Sequence, residues 1–495
     1  MNYSKLKAHA LKSDIVKNAL WVKGWSSASR CCRICHIQRV KNASVSCSAA
    51  LVDDSRKYCY TLEKEGIYMN TKFETNILNN GLTVKHIKNE HLHSVNIGIY
   101  ARKLPEKICG IAHMTEHMFF RRLCDIPQRQ LYFETDKIGA TLKGATYADF
   151  ICLDITVSPS KIREAFLLIS KVFKSFEWQP HEVEAEKRVV KRQIEDRYNS
   201  LYSKADMKYY ESTPKGSFIM GNISDINSIS AKCVNEYRKS VFVPKNCCVV
   251  LTGNFNGNDL SHFTNELEQL PMTDTGTNLM LPKYTVKEFC SHSSASDKIY
   301  GSSDGFSDVS ISFDVDESSV NRYAAEILQS IIGYGVTSKL SQVLREELGF
   351  TSEIGGSVEF TRYSGRISFE FEVYNENIEE SLTAVFDILQ QAKYGLTEND
   401  MQSSKVFYTD NQYRLLDDVR ELNFLIGWRT FVENESFCSI DELIRKYDDI
   451  TVRDINKAAD KIFRSRNLVI SVSNDNKIYR KIKLNNLFDN LRKEL

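Results

Sequence analysis

Hydrophobic and polar residues recur along the chain with the periods of strands and helices. They alternate as in strands over Ser94–Ala101 and Phe150–Val157, and Cys247–Gly253 is an apolar run that predicts a buried strand. Apolar residues three and four positions apart predict helices, which cover about residues 111–123, 128–138, 160–176 and 181–206. Ser158 is the predicted cap of the third of these helices. The first half of the chain is therefore expected to mix α and β elements.

The second half repeats this plan. Its pattern predicts elements in a similar order, namely a strand at Asp308–Val315, helices over 319–333 and 336–347, strands over 355–374, a helix over 377–392, a helical region over 397–463 and a final strand at Asn467–Ser473. Residues 271–300 are polar and irregular, as expected of a linker. We therefore predict an α+β protein in which residues 69–270 and 301–495 are two copies of one unit.

Composition limits the class of protein. The chain has 495 residues, of which 42% are hydrophobic and 26% charged, as is typical of a globular protein with more than one domain. The net charge of +1 gives no reason to expect nucleic acid or anionic lipid as a partner. No apolar run reaches about 18 residues, so no membrane span is expected. Thirteen cysteines without a secretory segment favour reduced thiols in an intracellular protein.

Residues 1–68 differ from the rest of the chain. Up to residue 42 they contain nine Lys or Arg and one acid, Asp14. An organelle transit peptide, a metal or redox cluster and a weakly structured basic extension all fit this composition. The residues of such a cluster would be Cys31, Cys32, Cys35 and His36.

The segment Gly110–Arg122 contains the strongest chemical signal, the order H-x-x-E-H in His113, Glu116 and His117. Residues four apart lie on one face of a helix, so the two imidazoles are expected to bind one metal ion from adjacent turns. Neutral imidazoles suit Zn²⁺, and a nearby carboxylate suits a general base. This order is the inverzincin signature. The third ligand stays open among four acids of the next long helix, Glu182, Glu184, Glu186 and Glu195.

Four stretches together resemble the pitrilysin-type (M16) zinc metallopeptidases, and in particular their mitochondrial-processing-peptidase-like (M16B) subunits. The stretches are His113–His117, Ile138–Thr146, Glu184–Val190 and Gly333–Phe350. The resemblance covers about residues 72–475. It implies two homologous α/β-roll domains, each an antiparallel sheet flanked by helices, in the LuxS/MPP-like metallohydrolase fold. Only the first domain would hold the zinc site, and the second would be of the inactive type.

The resemblance also implies roles for individual residues. Glu186 would be the third ligand of one Zn²⁺ per chain, beside His113 and His117, and Glu116 would take the proton of the attacking water. An extended peptide would pair with the edge strand, through Thr141, Leu142, Lys143, Gly144 and Ala145. The implied activity is that of a zinc metalloendopeptidase acting on peptides or on leader or presequence segments.

Three features depart from the family pattern. Lys143 and Gly144 replace an Asn-Ala pair in the edge strand, and Gln179 replaces a supporting Glu, whose place Glu182 could take. Arg345 matches a substrate-binding Arg, but Ser352 stands where the family has a Tyr. Tyr363 or Tyr334 could substitute for that Tyr.

The missing Tyr favours a heterodimer in which a homologous M16-like subunit completes the site, with a homodimer as the alternative. A non-catalytic subunit that binds peptides or assembles a complex is the rival function, and an unrelated metal-binding scaffold is a third. We expect a cytoplasmic location, with the mitochondrial matrix as the alternative because the N-terminus is basic.

Overall fold

The computed structural model of the chain describes residues 72–198, 219–271, 298–301, 305–316, 319–362, 365–432, 439–474 and 481–494. All of them belong to one structural unit, which runs from Met69 to Leu495. The basic extension with its cysteine cluster, most of the predicted linker, and Tyr363 lie outside the described residues. The predicted domain boundaries stay predictions.

The first half alternates strands and helices. Its elements are β1 (Glu74–Ile77), β2 (Thr83–Lys88), β3 (Val95–Arg102), α1 (Ile111–Arg121), β4 (Arg122–Leu123), β5 (Ile126–Pro127), α2 (Gln128–Lys137), β6 (Thr141–Thr146), β7 (Phe150–Val157), α3 (Ile162–Ile169), α4 (Pro180–Tyr198), α5 (Ile223–Ser228), α6 (Ala231–Val241), β8 (Cys247–Gly253) and α7 (Gly257–Glu268). Short 3₁₀ helices cover Pro159–Lys161, Ser170–Phe173 and Pro244–Asn246.

The second half follows a similar order. Its elements are β9 (Lys298–Gly301), β10 (Phe306–Val315), α8 (Arg322–Gly333), a π-helix (Ser341–Glu347), β11 (Ile354–Phe360), β12 (Gly365–Tyr374), α9 (Ile378–Ala392), α10 (Glu398–Arg414), α11 (Val419–Val432), α12 (Ile440–Asp448), α13 (Val452–Ile462), β13 (Leu468–Asn474) and α14 (Lys481–Glu494). Its 3₁₀ helices are Asn375–Asn377, Leu415–Asp417 and Ser465–Asn467.

Two sheets with matching topology confirm the predicted duplication. Among the described residues the first sheet has the order β1-β2-β8-β3-β7-β6, and the second has β11-β12-β10-β13-β9. Strand pairing is antiparallel except between β2 and β8 and between β9 and β13, which occupy matching places. At one edge of each sheet lies the first strand of a hairpin. This edge strand is β6, paired with β7, in the first sheet and β11, paired with β12, in the second. The α+β fold of two similar sheets flanked by helices is as predicted.

The two faces of the first sheet contact different layers, as the alternation of side chains along a strand requires. Val95, Ile97 and Ile99 of β3 belong to one core cluster with α1, α3 and α6. Tyr100 and Phe150 point to the other face and belong to the core of the second half. The sheet is therefore covered by helices from both halves of the chain.

Helix α11 covers that second face, although it comes late in the sequence. The Tyr100 hydroxyl donates to Asn423 at 2.9 Å, and the Asn423 amide donates to the carbonyl of Val250 at 2.9 Å. Arg420 donates to the buried carboxylate of Asp154 at 3.0 Å. These polar contacts fix the rotation of α11 about its own axis. If the helix rotated, each contact would break and would leave a buried polar group unpaired.

Four local details differ from the sequence-based expectations. The segment predicted as a helix over 336–347 contains a π-helix at Ser341–Glu347. Ser158 makes no side-chain cap, because its hydroxyl contacts Ser160 instead. The long charged helix begins at Pro180 and is described to Tyr198, and the C-terminal helix α14 was not predicted. Among the described helices, none combines the length and apolarity that crossing a membrane requires.

Candidate metal centre

Helix α1 positions the H-x-x-E-H residues. It begins after Gly110, whose backbone has φ of 85° and lies so close to the Met220 carbonyl that a side chain would collide with it. Positive φ is inexpensive for glycine alone. Met114 and Met118 are fully buried in the core of the first half, which anchors the apolar side of the helix. The order of apolar residues therefore determines which face of α1 carries the imidazoles.

His113, Glu116 and His117 come together as predicted. Their possible ligand atoms all lie within 4.8 Å of one another, and the imidazole centroids are 4.5 Å apart. Nδ1 of His113 lies 3.5 Å from Oε2 of Glu116 and has no hydrogen-bond partner among the described residues. Two neutral imidazoles beside a carboxylate fit zinc.

Helix α4 brings two more polar residues to this cluster from the opposite side. Oε1 of Glu186 lies 2.9 Å from Nδ1 of His117, and Oε1 of Gln193 lies 3.3 Å from Nε2 of His113. The two residues are seven positions apart, so they lie on one face of α4, two turns from each other. Glu186 is not among the residues whose ligand atoms lie mutually within 4.8 Å. Its role as third ligand stays a prediction, and Gln193 is a second candidate.

The charges around His117 act on its pKa in opposite directions. Burial lowers the pKa, whereas the hydrogen bond with Glu186, the charges of Glu116 and Glu186, and the hydrogen bond with Gln193 raise it. The net shift of the His117 pKa is upward. The site therefore has a negative potential that favours a bound cation.

The edge strand β6 lies directly beside the general-base candidate. β6 pairs with β7 on one side only, so its other edge is unpaired within the described sheet. A side chain at Gly144 would come within 2.6 Å of Oε1 of Glu116, and the Thr146 hydroxyl donates to Oε2 of Glu116 at 3.2 Å. The glycine at 144 thus leaves room for the carboxylate between helix and strand. Lys143 and Thr141 are exposed, and Leu142 and Ala145 are half-buried.

Two consecutive arginines at the end of α1 pair with α4. Arg121 Nε lies 3.3 Å from Oε2 of Glu186, and Arg122 Nε lies 2.8 Å from Oε1 of Glu182. Glu182 and Glu186 are one turn apart, so the pairs hold the two helices in register. Glu182 also accepts from the Gln179 backbone N–H at 2.8 Å. No described hydrogen bond or ion pair joins the predicted supporting residues Gln179 and Glu182 to the imidazoles, and Gln179 is exposed.

No described hydrogen bond, ion pair or ring contact joins Arg345, Ser352 or Tyr334 to the cluster. Arg345 is exposed on the π-helix, and its described ion pair is with Glu346, at 3.6 Å. Ser352 is exposed, and Tyr334 packs against Phe407 at 5.1 Å between ring centroids. The role of Arg345 stays a prediction.

Three residues of this site, Gln193, Thr146 and Arg121, were not predicted from the sequence. The spacing of Gln193 could have predicted its place, because Gln193 lies two turns beyond Glu186 on the same face of α4. Both side chains are therefore expected to face the same helix, α1. Arg121 and Arg122 lie at the C-terminal end of the motif helix and pair with acids one turn apart on α4. The contact of Thr146 with Glu116 had no sequence signal, since it depends on how the strand packs on the helix.

Comparisons with known proteins agree with this geometry. Residues 86–220 match the family model described as Insulinase (Peptidase family M16), and residues 228–405 match the one described as Peptidase M16 inactive domain. A Bacillus subtilis (strain 168) protein named Uncharacterized zinc protease YmxG is 20% identical over 402 residues, covering 78% of this chain and 94% of that protein. The mitochondrial-processing peptidase subunit beta of Lentinula edodes is 22% identical over 424 residues, covering 80% and 89%.

A solved structure supports the same fold. A protease from Helicobacter pylori superposes with a TM-score of 0.71 at 18% identity, covering 82% of this chain and 99% of that one. The two family matches together cover more than half of the chain, and the first includes the H-x-x-E-H helix. The chain belongs to peptidase family M16.

Proposed function

We propose that the chain is a zinc-dependent endopeptidase that cleaves extended peptides or leader segments. One observation carries the proposal. Glu116 lies beside two imidazoles and against the edge strand β6 at Gly144, so a peptide added along the unpaired edge of β6 would bring its backbone near the base. Relatives named as zinc proteases support both the metal and the activity. The placement in the mitochondrial-processing-peptidase-like subfamily is part of the same proposal.

The residues of the site have separate roles in binding the metal, transferring a proton and positioning the base. His113 and His117 would hold the zinc ion, with Glu186 and Gln193 as the candidates for a third donor. When bound, zinc supplies Lewis-acid activation of a water molecule and of the peptide carbonyl. Glu116 takes the proton of that water and delivers it to the leaving amine, as a carboxylate held beside the reacting atoms can. Thr146 donates to Glu116 and holds its carboxylate toward β6.

Strand β6 would select the form of the substrate rather than its sequence. Backbone N–H and C=O groups along Thr141–Ala145 would pair with an extended peptide, which excludes folded helices and sheets. The exposed Lys143 places a positive charge on this edge, where family members have Asn. We expect it to favour acidic side chains in the bound peptide.

A partner subunit is the second part of the proposal. Ser352 stands where the family has a Tyr, and Arg345 makes no described contact with the metal cluster. A homologous M16-like chain would supply the missing groups, in a heterodimer or a homodimer. The same observations favour the alternative function, a non-catalytic peptide-binding subunit. The compartment, predicted to be the cytoplasm, stays a prediction.

The test uses the purified full chain, alone and with its co-purifying partner. Metal analysis, cleavage of a quenched-fluorescence peptide and peptide binding are measured for the natural chain and for Glu116→Gln. We expect bound zinc, cleavage by the natural chain, and intact peptide binding without cleavage by the variant. If the natural chain binds the peptide but does not cleave it, either alone or with the partner, the non-catalytic function is supported instead. Full activity of the single chain would remove the need for a partner.

A further inference from the structure

We propose that Gln193 is the third donor to the metal, and that Glu186 holds the outer side of His117 instead of binding the metal. The proposal rests on the proposed zinc site and assigns its ligands. It makes this centre a His-His-Gln site with no negatively charged ligand.

The first step concerns His117, whose two ring nitrogens face different partners. Nδ1 lies 2.9 Å from Glu186, the distance of a direct hydrogen bond. Metal-binding histidines commonly donate their second N–H to a carboxylate, which fixes the ring orientation. Because Nδ1 is engaged in this way, Nε2 is the nitrogen left for the metal. Gln193 is also a hydrogen-bond partner of His117.

His113 faces α4 with its Nε2 nitrogen. Its Nε2 lies 3.3 Å from Oε1 of Gln193. Two ligands at about 2.1 Å from a tetrahedral zinc are separated by about 3.4 Å. The amide oxygen is therefore at ligand spacing from Nε2 of His113, and the Gln193 side chain also hydrogen-bonds His117. Gln193 is exposed, as suits a donor at the open mouth of a catalytic site.

The third step concerns Glu186, whose two carboxylate oxygens both have other partners. Oε1 meets His117, and Oε2 lies 3.3 Å from Nε of Arg121. Arg121 is itself tied to Gln128, to which its Nη1 donates at 2.7 Å. The carboxylate is therefore held from both ends in an orientation that supports the imidazole.

The consequence is a weakened zinc site. Zinc in catalytic sites takes His and carboxylate or thiolate ligands, whereas neutral carbonyl oxygens are more common around harder cations. A His-His-Gln set leaves both positive charges of the ion uncompensated by its ligands. One substitution, Gln193→Glu, would produce the two-His, one-Glu set that is common in catalytic zinc sites.

The test measures zinc affinity by competition with a chromophoric chelator, and Co²⁺ binding by visible absorption, so neither readout needs activity. For Gln193→Glu we expect zinc to bind at least about tenfold more tightly, with a changed Co²⁺ spectrum. For Glu186→Gln we expect a loss of about 10–100-fold, with Co²⁺ still bound, as for other supporting carboxylates. Gln193→Asn, which withdraws the amide by one methylene, is expected to bind zinc a few-fold more weakly.

The controls separate a ligand role from added charge. Gln269→Glu adds the same charge at the exposed C-terminal end of α7 and is expected to leave zinc affinity unchanged. Unchanged affinity in Gln193→Glu, together with complete loss of Co²⁺ binding in folded Glu186→Gln, would overturn the proposal. If the natural chain binds no zinc and Gln193→Glu does, the ligand assignment stands while the proposed zinc peptidase function of the natural chain falls.

Discussion

Helices α1 and α8 occupy matching places in the two halves of the molecule, and they carry different polar residues there. α1 contacts β6, α4 and α6, and α8 contacts the corresponding β11, α10 and α13. In α1 the polar residues are His113, Glu116 and His117. In α8 the same i, i+3, i+4 spacing holds Glu326, Gln329 and Ser330, all of them buried. Glu116 lies beside Gly144 of its edge strand, and Gln329 lies beside Gly356 of the other.

The polar residues of α1 and those of α8 have different surroundings. The imidazoles of α1 face α4 across a space where Gln193 is exposed. In the second half this space is filled by tyrosines. The Tyr408 hydroxyl donates to Gln329 at 3.3 Å, the Tyr447 hydroxyl donates to Glu326, and the two rings stack with centroids 5.2 Å apart. The fold provides a polar position in both halves, and the neighbouring side chains decide whether it stays open to a ligand.

The largest expected effect is on Glu116. Glu116→Gln keeps the shape of the side chain but removes the base, so we expect peptide cleavage to fall about 10²–10⁴-fold. Cleavage of a fluorogenic peptide measures the effect. Glu184→Gln, on the exposed side of α4, is the matched control and is expected to change cleavage little. A Glu116→Gln chain that keeps more than a tenth of the activity would show that another group acts as the base.

A second prediction concerns the contact that joins the two halves. Asp149, in the β6–β7 turn, accepts from the backbone N–H of Arg362, in the β11–β12 turn, at 2.9 Å. Burial raises the pKa of Asp149 to about 6, against 3.8 ordinarily, although the Arg362 N–H and the charges of Lys103 and Arg322 act in the opposite direction. Below the unfolded pKa, Asp149 is protonated in both states. As pH rises toward 6, the unfolded chain ionises first, so folding stability falls.

Asp149→Asn removes this titration and keeps an acceptor for Arg362. We expect the variant to be more stable than the natural chain by about 3 kcal/mol above pH 7 and nearly as stable as it near pH 4. Urea unfolding at the two pH values measures the difference. A variant that is equally stable or less stable above pH 7 contradicts the raised pKa.

The third prediction tests whether the tyrosines close the second site. Tyr447→Phe removes the donor to the buried Glu326, so we expect the free energy of unfolding to fall by about 1–3 kcal/mol. Zinc content and cleavage are expected to stay the same, because the change is confined to the second half. Tyr394→Phe is the matched control, since Tyr394 is 77% exposed. Equal stability of the two variants would show that the hydroxyl contact contributes nothing.

The last prediction compares substitutions at the two edge-strand glycines. Gly356→Ala would meet the backbone carbonyl of Gly333, which cannot move freely, and we expect a loss of about 1–3 kcal/mol in unfolding free energy. Gly144→Ala would instead press on the end of Glu116 and on the Phe120 ring, which can shift. We expect a several-fold loss of cleavage with smaller loss of stability. Urea unfolding and peptide cleavage of both variants separate the two results.

Local periodicity was enough to predict most of the elements. The alternation in Phe150–Val157 and the helical spacing around His113 depend on neighbours within a few positions, and the structure has β7 and α1 there. The H-x-x-E-H spacing was likewise enough to bring His113, Glu116 and His117 together, because one helical turn separates them. The duplication was visible because the order of elements repeats along the chain.

The tertiary structure decided which faces meet. The sequence by itself left four acids of α4 as possible ligands, and only the rotation of α4 against α1 set Glu186 on Nδ1 of His117 and Gln193 on Nε2 of His113. In the tertiary structure, α11 also packs on the first sheet, and Tyr408 and Tyr447 fill the matching site of the second half. Those outcomes depend on contacts between residues far apart in sequence. Such contacts are set by the packing of whole helices and sheets, which no local period of hydrophobic residues encodes.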